Sequence, residues 1–315
     1  MRPSARKKIG LLYAGESSLS ASYWRQWLSA LPELNIIADV VPIVIDGKRR
    51  QDYTLASIMA LAETIARHYA AVDGFALLYG LDHILYASAA LSFCLTGLNK
   101  PVLVTSGVLQ PQDGGSGGKT DVGLKANLIN AMQAATLPLA EVTIIYGNRL
   151  LRGNAAYRVS AADLNAFDAP SNAVLGRIDF SIRLLERNLR SSSRTKLALA
   201  SLSDRVEYLI LTPWLTAPMF KRRIADAKAL LVDARQCQDL PRWMRVYLES
   251  GECKKPVAVL TASPEVTLSS RRVALLPIGT PEAMLAKLAW ATAMAKTPEK
   301  ITSLMVQDIA GEFTV

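Results

Sequence analysis

Four short segments carry residue types that could do chemistry where a strand gives way to a helix. They are Tyr13-Ala14-Gly15-Glu16-Ser17-Ser18, Tyr79-Gly80-Leu81-Asp82-His83, Thr105-Ser106-Gly107, and Asn148 to Arg158. Ser17 offers a hydroxyl nucleophile. His83 is a candidate general base beside it, because an alcohol attacks a carbonyl only when something takes its proton. The bland reading of His83 is a partly buried polar residue capping the helix that starts at Ile84. Asp82 reads either as a carboxylate facing a cleft or as the N-cap of that same helix. Asp113-Gly114-Gly115-Ser116-Gly117-Gly118-Lys119-Thr120 ends like a phosphate-binding loop. Its first required glycine is Asp113, however, so it is read as a surface loop.

The elements that must position these residues follow from the apolar pattern. Lys8–Tyr13, Ile36–Ile45, Gly74–Tyr79, Pro101–Thr105 and Glu141–Tyr146 read as strands. Ala21–Leu31, Leu55–Tyr69, Ile84–Leu95 and Leu124–Ala135 read as the helices between them. Alternation of this kind predicts a doubly wound, mostly parallel sheet covered on both faces. Ligands in such sheets sit outside the carboxyl ends of the strands. After Phe180 the sequence turns polar and basic, through Arg183, Arg187, Arg190, Arg194 and Lys196. The expected division is therefore an N-terminal domain over 1–182, a linker over 183–196, and a smaller α/β domain over 197–315. In the last, Leu197–Leu202, Tyr208–Leu211, Ala229–Leu231, Pro256–Leu260 and Val273–Leu276 read as strands. Met219–Ala227, Pro241–Glu249 and Pro281–Ala293 read as helices.

Composition narrows the class. The chain has 315 residues, half of them apolar, with a formal net charge of +9. Disorder is excluded by that apolar content. Three cysteines and two histidines supply neither a disulfide framework nor a Cys/His metal site, so no metal and no cofactor is expected. The cysteines read as small buried apolar residues in a reducing, cytoplasmic setting. No apolar stretch is long enough to span a membrane. The positive charge is spread thinly and is not interleaved with aromatics, so nucleic acid is not an expected partner.

Taken in order, these segments resemble the type I (cytoplasmic) L-asparaginases. Val72–Thr105, VDGFALLYGLDHILYASAALSFCLTGLNKPVLVT, is similar to the family's DGF strand, H-G-T-D-T turn, Ala-Leu-Ser-Phe helix and G-K-P-V-x-V-T strand. Asn127–Ala131 resembles NLLNA, Asn148–Asn154 resembles NRLxRGN, and Phe167–Pro170 resembles FxSP. The tail Thr297–Val315 is similar to the family's C-terminal extension. The resemblance implies two α/β domains, a homodimer or tetramer, and hydrolysis of a side-chain amide through an acyl intermediate on a Thr. A second Thr-Lys-Asp group assists, a lid loop closes over the substrate, and the ligand is a small amino acid or amide.

Carried over position by position, that reaction centre is altered. The nucleophile position falls on Ser17 and a backbone-approach glycine on Glu16, whose carboxylate repels a substrate carboxylate. In Gly80-Leu81-Asp82-His83, Asp82 matches the substrate-binding Asp, but Leu81 replaces the catalytic Thr and cannot transfer a proton. The catalytic Lys position falls on Arg158, which does not deprotonate. A substrate-binding Ser falls on Gly47, and Ser106 is a further substrate-contact candidate. The lid loop is shorter than in the family, with Tyr23 at the wrong spacing. The Y-G-x-G-N turn of the second domain corresponds to Pro213–Pro218. The expectation is an asparaginase-like scaffold without ordinary asparaginase activity. Its alternative is an amide hydrolase that uses Ser17 with His83 or Asp82.

Overall fold

A computed structural model describes residues 6–14, 28–29, 31–45, 53–106, 122–160, 165–192 and 195–313. The chain forms two compact units, Met1–Leu199 and Ala200–Val315.

The first unit is built on a sheet whose middle strands are buried on both sides. β1 (Lys8–Ala14) lies parallel between β2 (Asp39–Ile43) and β3 (Gly74–Tyr79). After the short β4 (Leu95–Thr96), β5 (Val102–Ser106) and β6 (Val142–Tyr146) extend the parallel set. β7 (Arg149–Arg152) turns back antiparallel. β8 (Tyr157–Arg158) and β9 (Phe167–Asp168) form a separate two-stranded ribbon. β10 (Val174–Ile178) and β11 (Ile182–Leu184) close the sheet antiparallel. The order is β11-β10-β7-β6-β5-β3-β1-β2.

Two faces of this sheet are covered because its strands read as near-continuous apolar runs; all six residues of β3 are buried. Ile9, Leu11, Ala76, Leu78, Leu103 and Ile145 share one core cluster with Leu34 of the helix Pro32–Ile37 and Leu128 and Met132 of the helix Val122–Ala134. Residues of the opposite parity, such as Leu12, Phe75, Leu77, Val104 and Ile144, are equally buried. On that side the helices Leu55–His68 and Ile84–Cys94 pack on each other, and the second also packs on β5 and β6. Each large side chain buried in this way stabilises the fold by about 1.5–3 kcal/mol.

Several boundaries differ from the sequence expectation. Ile36 and Ile37 end a helix, and the strand begins only at Asp39. The proline at N1 starts that helix, and Pro42 is tolerated because β2 is an edge strand. Residues 183–196 were expected as a linker, yet β11 belongs to the large sheet and the first unit runs to Leu199. The strand expected over Leu197–Leu202 is only the two-residue β12 (Ala198–Leu199), paired antiparallel with β4. Most of the expected helix Ala21–Leu31, and the glycine-rich loop 113–120, lie outside the described residues.

The second unit carries four parallel strands in sequential order: β13 (Val206–Ile210), β14 (Ala229–Asp233), β15 (Val257–Leu260) and β16 (Val273–Leu276). Its helices are Ala217–Arg223, Arg242–Glu249, Pro281–Met294 and Pro298–Met305. Three of them start at a threonine whose hydroxyl accepts a backbone N–H three residues on: Thr216, Thr280 and Thr297.

Cys94 and Cys253 are buried, as expected, whereas Cys237 is only half-buried. Burial pushes the Cys94 thiol up to about 12, so it carries almost no thiolate near neutrality. Iodoacetamide at pH 8 is therefore expected to label Cys237 in the folded protein and to reach Cys94 only after denaturation. Mass spectrometry of tryptic peptides reads this directly, and rapid native labelling of Cys94 would contradict the packing described.

Candidate active site

Sheet order fixes where a ligand can sit. From β1 the chain crosses to β2 on one side, then returns to β3 on the other and proceeds to β5 and β6. The crevice at that reversal lies outside the carboxyl ends of β1 and β3. The register aligns those ends: Ala14 pairs with Tyr79, and Tyr79 with Ser106. Ala14, Tyr79 and Ser106, the last residues of three neighbouring strands, thus end side by side. Glu16, Ser17 and Gly47 lie outside the described residues.

After β3 the chain makes a single 3-10 turn over Leu81–His83 before the helix from Ile84. His83 occupies the N-cap position, but its side chain makes no capping hydrogen bond. It is exposed rather than partly buried. Its ring stacks on Tyr53, with centroids 4.5 Å apart and planes 27° apart. Asp82 does not cap the helix either. Its carboxylate accepts a hydrogen bond at 3.0 Å from Nη1 of Arg158, with side-chain exposures of 67% and 34% for the acid and the base. Two residues 76 positions apart, both singled out from sequence, are thereby joined.

The arginine reaches this point because β8 is held by β9, with Tyr157 opposite Asp168 and Arg158 opposite Phe167. Phe167 packs edge-on against Tyr146, centroids 5.3 Å apart, and Asp168 pairs with Arg149 at 2.5 Å. Arg158 also donates from Nε to the Ser160 carbonyl. Leu81 is half-buried on the same turn as Asp82. Ser106 is buried, with its carbonyl accepting a hydrogen bond from Asn127, which in turn receives one from the Gly147 amide.

The Arg152-Gly153-Asn154 motif proves to be scaffold. Arg152 pairs with Glu141 at 2.7 Å, both nearly enclosed, and donates to the Asn188 carbonyl. A side chain on Gly153 would start 2.9 Å from the Val142 carbonyl oxygen, so only glycine lets the turn close there.

Tyr53 was not singled out by its sequence context. It precedes the Thr54 cap of the helix Leu55–His68 and adopts φ +43°, a conformation that costs a side-chain-bearing residue energy. Its ring lies edge-on to Tyr79, with centroids 5.6 Å apart. A Cβ on Gly80 would collide with its hydroxyl oxygen, so the glycine makes room for the ring. Burial pushes the Tyr79 hydroxyl up to about 12. Tyr79 is therefore a proton donor near neutrality and not a base.

A large, mostly parallel sheet followed by a smaller parallel α/β unit is the layout of an asparaginase-type scaffold. A protein-family model described as "Asparaginase, N-terminal" matches residues 13–190, and the chain belongs to the asparaginase family. L-asparaginase 1 of Escherichia coli (strain K12) is 29% identical over 280 residues, which cover 84% of this chain and 81% of that protein. A glutamyl-tRNA(Gln) amidotransferase subunit of Methanosarcina acetivorans is 22% identical over 314 residues, covering 91% and 72%. The crystal structure of L-asparaginase I from Vibrio cholerae matches with a TM-score of 0.81 at 25% identity, covering 99% of this chain and 100% of that one. Among the described residues, no helix is long and apolar enough to cross a membrane.

Proposed function

We propose that this chain is an asparaginase-fold protein without ordinary L-asparaginase activity, retained as a binding protein or as a subunit of a complex. The observation that carries the reading is the Arg158–Asp82 ion pair beside Leu81. A relay built on lysine and threonine needs groups that give up and regain a proton. A guanidinium stays protonated, and here its charge is satisfied by the very carboxylate that would otherwise meet the substrate. A leucine side chain has no proton to give.

The ligand class that fits is a small amino acid or amide, whose ammonium group would compete with Arg158 for Asp82. The chain is further proposed to be cytoplasmic, in keeping with three unpaired cysteines, and to form a homodimer or tetramer. Asparagine or aspartate at about ten times its Kd should raise Tm by about 3–5 °C. Asp82→Ala should remove that shift. A variant that responds like the parent would rule out Asp82 as the contact, and no response to either amino acid would sink the ligand class.

A second reading keeps catalysis. It is favoured by the register of β1, which Ser17 follows in sequence, with β3, which Asp82 and His83 follow: Ala14 pairs with Tyr79. Ammonia release abolished by Ser17→Ala would support it.

A further inference from the structure

Away from the switch point, the antiparallel part of the first sheet carries an arrangement of charge that the proposed function does not use. Arg177 of β10 stands directly opposite Arg183 of β11 and directly opposite Arg149 of β7. Residues opposed in this way point to the same face, with Cβ atoms about 5 Å apart, and like charges so placed repel. The alternate positions show which face this is. Leu150, Ile178, Ile182 and Leu184 turn into the core cluster, so the three arginines stand on the other side. Tyr146 continues the row beyond Arg149.

Among the described residues, one carboxylate forms a salt bridge with this row. Asp168 pairs with Arg149 at 2.5 Å. Burial pushes its carboxyl up, but the Arg149 hydrogen bond, the Ala169 amide and the charges of Arg149 and Arg177 outweigh that and hold it below the usual carboxylate range. Arg177 and Arg183 are exposed, and neither has a salt-bridge partner among the described residues. Asp179 sits in the turn between their strands, where its backbone N–H bonds the Ser181 carbonyl.

We propose that the Arg149–Arg177–Arg183 row is a binding site for a phosphoryl dianion. Two unpaired guanidinium forks on adjacent strands match one tetrahedral group, each fork taking two of its oxygens. The charges also match: a phosphomonoester carries about −1.5 to −2 near neutrality, against the surplus of positive charge that three arginines and one aspartate leave. A monocarboxylate would leave part of that surplus unneutralised. The Asp168–Arg149 pair borders the site and fixes the third guanidinium at its edge.

The test is thermal unfolding and isothermal titration of the full chain with inorganic phosphate, glycerol phosphate, or sodium chloride at matched ionic strength. Saturable binding with a Tm rise of about 3–5 °C at ten times Kd is expected. Arg177→Glu should weaken binding about tenfold or more. Arg183→Gln, which leaves Arg177 in place, should weaken binding while folding normally, and serves if the first variant fails to fold. A response to inorganic phosphate alone assigns the site to the free ion, and a stronger response to glycerol phosphate assigns it to an esterified ligand. A response no larger than that to chloride, or equal in the parent and both variants, overturns the proposal.

Discussion

Lys287→Ala is expected to unfold the second unit under conditions where the parent stays folded, at a cost of about 3–5 kcal/mol. Lys287 lies on the helix Pro281–Met294, and its side chain is wholly buried. Its ammonium group donates to the carbonyls of Met305 and Gln307, meets the Glu312 carboxylate at 2.5 Å, and stands 4.0 Å from the centre of the Phe313 ring. Burial draws its pKa down, opposed by the Glu312 charge. The wholly buried carboxylate is satisfied in turn by the backbone N–H groups of Ile309 and Ala310. These contacts fasten the C-terminal tail to the helix. Removing the lysine leaves a buried anion with no cation and two carbonyls with no donor, which is where the large cost arises. Replacing both partners, as in Lys287→Met with Glu312→Leu, should recover only part of the loss, because no charge is stranded but the Met305 and Gln307 carbonyls and the Ile309 and Ala310 N–H groups still lose their partners. Urea unfolding followed by tryptophan fluorescence checks both variants. A loss below about 1 kcal/mol for Lys287→Ala would place the ammonium in water.

The second large effect concerns the reaction centre. Restoring proton carriers through Leu81→Thr and Arg158→Lys, together with Glu16→Gly, is expected to raise ammonia release from asparagine by about 10²–10⁴-fold, the range that positioned acid–base groups contribute. Arg158→Lys also exchanges a planar fork that grips Asp82 for a flexible ammonium, loosening the pair seen at 3.0 Å. Each single change should do much less than the triple, because members of a relay act together. If the triple variant releases no more ammonia than the parent, the altered residues are not what limits the chemistry.

The parallel half of the first sheet was legible because burial on both faces writes itself as an unbroken apolar run. Gly74–Tyr79 is the clearest instance, with its bounds matching the expectation. The hairpin of β10 and β11 was not legible. One face of it carries Arg177 and Arg183 and the other Ile178 and Ile182, and Arg183 opens the basic run to Lys196 that reads as a linker. The period-2 alternation was present, but over segments of only five and three residues. At the site, family motifs located Asp82 and Arg158, and the fold joins them through residues far apart in the chain. Tyr53 could not be found that way. Its importance lies in a positive φ and in a stack on His83, neither of which leaves a trace in residue order. Arg152 was read as part of a motif, and its buried pairing with Glu141 depended on tertiary packing.

The most direct test is the steady-state release of ammonia from L-asparagine by the purified, unaltered chain, run beside its Ser17→Ala variant. A rate indistinguishable between the two, and several orders of magnitude below that of E. coli L-asparaginase 1 assayed alongside, is the predicted result. Turnover at a rate comparable to that enzyme and lost in Ser17→Ala would contradict it, and would mean that other side chains carry the proton past Leu81 and Arg158.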